Sequence, residues 1–345
     1  METTNPKTHP VAKQTNNHAG KGGGNMDAIS TGQKIQSLLQ KWGTVLILVV
    51  LLVAAASQSD VFLTERNIMN VLRQIAGIGL LSIGMLFVIL TRGIDLSVGS
   101  IAALGSVLSA LFVAEMNPAM AISAAIAIGA GCGLVSGILV AYLKLPPFVT
   151  TLAMMTIARG LSLIASEGQP IVMGEPGRFL TAFGSGYFLG VPLPVILMLS
   201  LFLVAGLVLR FTRFGRLVTA IGSNSEAVRL SGIRVSGYVV SVYVISGALA
   251  AAAGIISTSR TGVGSATIGV AAELDAIAAV VIGGASLMGG KGTALNTLIG
   301  CLILGIIANL MNLAKVPGYH QQVFMGLIIV GAMLLQYGST FLRRH

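Results

Sequence analysis

The chain has 345 residues, 54% of them hydrophobic and only 9% charged. Soluble domains carry about 25% charged residues, so this composition excludes an ordinary soluble fold and points to a polytopic membrane protein. The formal charge of +10 does not signal nucleic-acid binding. Its cations cluster as five lysines in 1–41, five arginines in 210–234 and two arginines at 343–344, which is a positive-inside bias.

Residues 1–41 are rich in Asn, Thr, Gly and Lys and read as a disordered cytoplasmic tail. The stretch 31–41 could form a short helix on the membrane surface ahead of Trp42, an interface anchor. From 42 to 342 the chain reads as one transmembrane domain, with a loop at 210–235. A helix needs about 20 apolar residues to cross the hydrocarbon core. Ten candidate spans follow in order: 43–59, 74–92, 96–115, 118–142, 147–166, 189–209, 236–258, 272–289, 292–314 and 319–339. The first carries Ala54-Ala55-Ala56, a signal-peptidase-like motif. The tail before it is too long for an ordinary signal peptide, so an uncleaved anchor is expected. Cys132 and Cys301 fall in apolar runs and read as small buried residues rather than a disulfide framework. Forty-four glycines suit closely packed membrane helices.

With the N-terminus inside, ten spans put 15 cations on the cytoplasmic side and five on the outer side, and the C-terminus is also cytoplasmic. The 210–235 loop is then cytoplasmic. A faint internal repeat is present. Lys144-Leu-Pro-Pro-Phe148 matches Lys315-Val-Pro-Gly-Tyr319 at an offset of 171, and Gly129 pairs with Gly300 at the same offset. One element falls inside and the other outside, which suggests an inverted five-plus-five repeat. The expected fold class is therefore an all-α polytopic membrane protein of about ten transmembrane helices.

The acidic residues avoid span centres. Asp95 starts the third span, Glu273 and Asp275 start the eighth, and Glu115 ends the third; an acid at a helix N-terminus is favoured by the helix dipole. Arg159 is the single charge inside a span, where it either snorkels outward or lines a water-filled path. Gly289-Gly-Lys-Gly-Thr293 invites a phosphate-loop reading that fails: the required first glycine is Ala285, and Lys291 is followed by Gly292. A tight turn between helices is expected instead. No catalytic nucleophile–base pair and no metal motif stands out, and His320 is the lone histidine of the apolar region.

Ser223-Asn-Ser-Glu226 reads as a helix start, with Ser223 or Ser225 as the cap and Glu226 in the first turn. Ala227, Leu230 and Ile233 recur at helical spacing as an apolar stripe, and Gly232 supplies a stop. The expectation is a two-turn helix in the loop. Taken alone, it could simply lie on the lipid surface.

Three stretches carry a resemblance. They are Gly93-Ile-Asp-Leu-Ser-Val-Gly-Ser100, Ala220-Ile-Gly-Ser-Asn-Ser-Glu-Ala-Val-Arg-Leu-Ser-Gly-Ile233, and Ala278-Ala-Val-Val-Ile-Gly-Gly-Ala-Ser-Leu-Met-Gly-Gly-Lys-Gly-Thr293. Together they resemble the ribose-type membrane permease subunit of bacterial ATP-binding-cassette (ABC) sugar importers, over roughly residues 40–340. The resemblance implies a multi-pass inner-membrane subunit that binds no cofactor itself. A separate ABC ATPase with two cassettes carries ATP-Mg, a periplasmic sugar-binding protein delivers solute, and a second permease copy or a paralogue completes the pathway. It makes Asp95, Ser97 and Gly99 family-motif positions. It also implies that residues 223–233 dock on the ATPase, with Leu230 and Ile233 as anchors and Glu226 and Arg229 setting register. Ser223, Ser225 and Gly232 shape that segment. Arg159, Asn296, Asn309 and Asn312 are candidate path residues, as are Thr150 and Thr151, and each polar group could equally be interhelical glue. The rival readings are a stand-alone secondary transporter or exporter of a small polar solute, coupled through Arg159 or Asp95, and a membrane scaffold or receptor.

Overall fold

The computed structural model describes residues 43–341. The tail 1–41, the expected surface helix at 31–41, Trp42 and the terminal arginines lie outside the described residues. Twelve α-helices run through the described chain: α1 Gly43–Gln58, α2 Glu65–Leu90, α3 Val98–Glu115, α4 Pro118–Ala141, α5 Pro147–Ala165, α6 Arg178–Ser185, α7 Leu193–Phe211, α8 Arg213–Leu230, α9 Val235–Thr261, α10 Ala272–Ile282, α11 Ala294–Leu313 and α12 Gly318–Phe341.

Side-chain caps and prolines set many helix starts. The hydroxyl of Thr64 accepts the Asn67 N–H, and Asn117 caps Met120 ahead of Pro118. Thr212 and Thr293 open α8 and α11 in the same way. Gly262, left-handed at φ 72°, stops α9.

Seven described helices are long and apolar enough to cross a membrane: α2, α3, α4, α5, α7, α9 and α11. The other expected spans are present in place but differ in form. The expected 43–59 span is the 16-residue α1, and α12 is helical over Gly318–Phe341. The expected 272–289 span is corrected to the 11-residue α10, too short to cross at 1.5 Å per residue. The chain turns at Gly283 and Gly284, the latter at φ 85°, so the apolar run continues into a loop. The expected 74–92 span begins nine residues earlier, because the cap at Thr64 starts the helix in polar sequence.

The outer helices differ from the inner ones in burial. In the most apolar 18-residue window, 72% of α2 and 78% of α3 is buried, against 28% for each of α4, α5 and α7. A helix apolar all round and buried all round is a core element. The main core accordingly joins Leu80, Leu86 and Leu90 of α2, Ile101 and Leu104 of α3, and Tyr243, Ala250 and Ile256 of α9.

Helix α4 reaches this core through a ridge of small residues. Gly129, Gly133 and Gly137 face Gly247, Tyr243 and Val240 of α9, and a Cβ on Gly133 would overlap the Tyr243 carbonyl oxygen. Close backbone approach is how membrane helices gain packing without a hydrophobic drive. Two short antiparallel pairs sit beside α6: β1 (Ile171–Val172) with β4 (Val263–Gly264), and β2 (Tyr187–Phe188) with β3 (Val191–Pro192).

Candidate functional site

Helix α8 is two helices joined at a kink. Asn224, at φ −158° and ψ 93°, is extended and interrupts it. Its side-chain oxygen accepts the Ala227 N–H at 3.0 Å, so Asn224 is the N-cap of the second part. This corrects the expected caps. Ser223 instead donates its hydroxyl to the Thr219 carbonyl at 3.1 Å, closing the first part, and Ser225 already lies inside the second. The expected two-turn helix is thus the last part of a longer element that begins at Arg213.

The segment ends as the sequence suggests. Gly232 is left-handed at φ 79°. Its N–H reaches the Arg229 carbonyl at 3.0 Å, and the Ile233 N–H reaches Val228 at 3.4 Å, a Schellman pattern. Val228, 9% exposed, is the residue that fixes the segment to the body, and it escaped the sequence reading. Leu230 is 74% exposed, Ala227 is exposed and Ile233 is half-buried.

Glu226 and Arg229 form a two-pronged ion pair, Nε to Oε2 at 2.9 Å and Nη2 to Oε1 at 2.5 Å. Hydrogen bonds from Arg229 hold the Glu226 carboxyl below its ordinary value of 4.5. A depressed carboxylate contributes in full above its ordinary value and is lost as pH falls through the lowered one. Both side chains are exposed, so the pair orients the surface more than it stabilises the fold.

The kink at Asn224 is held from behind by two turns. Arg92, at φ 66°, donates from Nε to the Met288 carbonyl at 2.8 Å and from Nη2 to the Ser223 carbonyl at 2.9 Å. The Gly290 N–H donates to the Leu90 carbonyl at 3.1 Å. A Cβ on Gly222 would overlap the Leu90 carbonyl oxygen, so only glycine lets these backbones meet. The end of α2, the middle of α8 and the turn between α10 and α11 therefore interlock. The Gly289–Thr293 stretch is a turn between helices here, with Gly289 and Gly290 at φ 80° and 73°.

The 93–100 motif adjoins this clamp. Asp95 is fully buried and lies ahead of α3, which begins at Val98, rather than in its first turn. Its Oδ1 accepts the Ser97 N–H at 3.0 Å and the Ser97 hydroxyl at 2.5 Å, and its Oδ2 accepts the Ser246 hydroxyl at 2.8 Å. Asp95 thereby ties the α2–α3 connection to the middle of α9. Gly99 abuts Gly269 and the Glu273 carboxylate so closely that a Cβ would collide with both. The start of α3 and the approach to α10 are in backbone contact there.

The candidate path residues are not gathered at one place. Asn309 exchanges hydrogen bonds with Asn67 at 3.0 and 2.9 Å, joining α11 to α2. Asn312 accepts from Gln321 of α12 at 2.9 Å. Asn296 lies in the first turn of α11, about 24 Å along the helix from Asn312. Arg159 donates from Nη1 to the carbonyls of Ala266 and Ile268, the latter at 2.8 Å, and so holds the loop before α10. Thr151 bonds back to the Pro147 carbonyl at 2.9 Å and across to Ile94 at 3.3 Å.

Comparison with known proteins gives the family. Residues 67–333 match the family described as "Branched-chain amino acid transport system / permease component". The chain is 44% identical over 313 residues to the ribose import permease protein RbsC of Bacillus subtilis (strain 168), covering 90% of this chain and 97% of that protein. It is 36% identical to the L-arabinose ABC transporter permease protein AraH of Azospirillum brasilense, over 87% of this chain and 88% of that one. It is 37% identical to the D-allose transport system permease protein AlsC of Escherichia coli (strain K12), over 86% and 91%. No solved structure matches the chain. The three motifs all fall within the matched region, and the chain belongs to this permease-component family, in its ribose-type branch.

Proposed function

We propose that this chain is the membrane-spanning permease subunit of an ABC importer that moves a monosaccharide, a ribose-like pentose, a hexose or a related polyol, across the bacterial inner membrane. The relatives named for ribose, arabinose and allose support the solute class. The observation that carries the reading is the second part of α8: capped at Asn224, stopped at Gly232 and presenting Leu230 to solvent. An exposed apolar helix face flanked by a fixed ion pair suits docking into a groove of a partner. The partner is a separate ATPase with two cassettes, which holds ATP-Mg and does the hydrolysis. A periplasmic sugar-binding protein and a second permease copy or paralogue complete the assembly.

The orientation follows the cation split, with both termini and α8 cytoplasmic. An inverted repeat of five helices plus five, in which α10 and the apolar loop after it together take the place of the eighth span, is supported by helix spacing. Helices α2 and α9 start 170 residues apart and end 171 apart. Helices α5 and α12 start 171 apart. Lys144 and Lys315, the paired positions of the sequence repeat, share the left-handed conformation at φ 54° and 57°.

Closure of the two cassettes draws the docked segments together. The Arg92 clamp and the Gly290–Leu90 bond carry that movement from α8 to α2 and to the turn after α10. From there it reaches the Gly99–Gly269 contact between α3 and the α10 approach, and the pathway changes the side to which it opens. Leu230→Asp tests the docking: the ATPase is expected to stop co-purifying while membrane insertion and yield stay normal. Normal co-purification of the ATPase with this variant contradicts the role given to α8.

A further inference from the structure

A cavity of about 350 Å³ opens beside the second part of α8, between the end of α2, the α4–α5 turn and the start of α9. Its charged lining is Arg92, Lys144, Glu226 and Arg229, three cations against one carboxylate. That carboxylate is already engaged by Arg229. Arg92 spends two donors on neutral carbonyl groups, which fix its position without cancelling its charge. Lys144 has no ion pair or hydrogen bond among the described residues, and it is exposed at φ 54° in the α4–α5 turn. Hydroxyls of Thr91, Ser225 and Ser236 also line the space. The volume lies within the range of small-ligand sites, roughly 300–1,000 Å³.

The chain on either side of Lys144 is of opposite character. Tyr142 is 64% exposed, Leu143 61%, Phe148 55% and Val149 57%, in and beside the α4–α5 turn. Surplus positive charge in the lining and exposed apolar side chains next to Lys144 in the chain describe an amphiphile with an anionic head.

We infer that this cavity takes a phosphate group, with Lys144 as its principal cation, and that the exposed apolar residues flanking Lys144 favour the phosphodiester of an anionic phospholipid over a soluble sugar phosphate. Basic recesses between membrane helices recognise such headgroups by charge, while the chains lie on the apolar surface. A phosphate seated here bridges the α4–α5 turn to Arg229, where it competes with Glu226 and braces the second part of α8. The inference stands apart from the import reading, because it concerns this chain alone.

The test is native mass spectrometry of the purified full chain with phosphatidylglycerol or phosphatidylcholine of matched acyl chains, with ribose 5-phosphate and inorganic phosphate titrated separately by calorimetry. Phosphatidylglycerol is expected to bind in preference, and Lys144→Gln to weaken it about fivefold. Arg213→Gln removes an exposed cation of α8 that does not line the cavity, and it is expected to leave binding unchanged. Binding of ribose 5-phosphate that depends on Lys144, without a preference for phosphatidylglycerol, keeps the phosphate site and makes its source soluble. Equal binding of the two lipids with no Lys144-dependent phosphate binding overturns the inference, as does equal weakening by the two substitutions.

Discussion

Asp95 accepts three hydrogen bonds in a fully buried setting and has no ion pair among the described residues. Removing the carboxylate leaves the Ser97 N–H and two hydroxyls without their acceptor. Asp95→Ala is therefore expected to cost about 2–3 kcal/mol, with Asp95→Asn costing less because one acceptor oxygen remains. Thermal unfolding in detergent reads the difference, and equal melting of all three proteins contradicts the structural role. At Asn224 the expected cost is smaller, about 1 kcal/mol for Asn224→Ala, confined to the second part of α8. Hydrogen exchange at amides 225–230 should rise while the rest of the chain is unchanged. The sequence signals a helix start at Ser223–Glu226 and offers Ser223 or Ser225 as its cap, while Asn224 between them has the same chemistry and is the cap observed. Only the backbone conformation decides between three adjacent capping residues. Arg92 left no comparable signal, because both of its partners lie more than a hundred residues away.

At the scale of elements, hydropathy located the long apolar helices but missed α6 and the first part of α8, and it misjudged the lengths of α10 and α2. The run 272–289 is apolar throughout, yet α10 ends at Ile282 because Gly283, Gly284, Gly289 and Gly290 turn the chain. In membrane sequence a glycine-rich turn and a glycine-rich helix have similar hydropathy, so composition alone does not separate them. The beginning of α2 shows the reverse error: its polar first turn hid a helix that a threonine cap starts. Burial also explains why the α4–α9 contact was hard to see. Its signal is three glycines spaced by four, and the sequence holds 44 glycines. Gly133→Val is expected to push α4 away from Tyr243 and destabilise the chain by roughly 1–3 kcal/mol. Gly131 has nothing near its absent Cβ, so Gly131→Ala is the control and should melt as the parent does.

For the whole molecule, the polytopic helical class was legible from composition, and the three motifs identified the family before their contact was known. What the sequence did not reveal is that the second and third motifs meet at the end of α2. The end of α2 just before the 93–100 turn, the α8 kink and the α10–α11 turn come from positions up to two hundred residues apart, yet hydrogen bonds and glycine contacts join them behind one exposed segment. Of the polar span residues read individually as path or glue, Asn309, Asn312 and Arg159 are engaged in interhelical and loop contacts at separate places. The central claim is that this chain gates solute movement driven by a partner's ATP hydrolysis through α8. It is tested most directly by uptake of radiolabelled ribose into proteoliposomes containing the chain, its ATPase and its binding protein. Uptake should require ATP and the ATPase and should be abolished by Leu230→Asp. Uptake driven by a proton gradient with the ATPase absent would contradict the account.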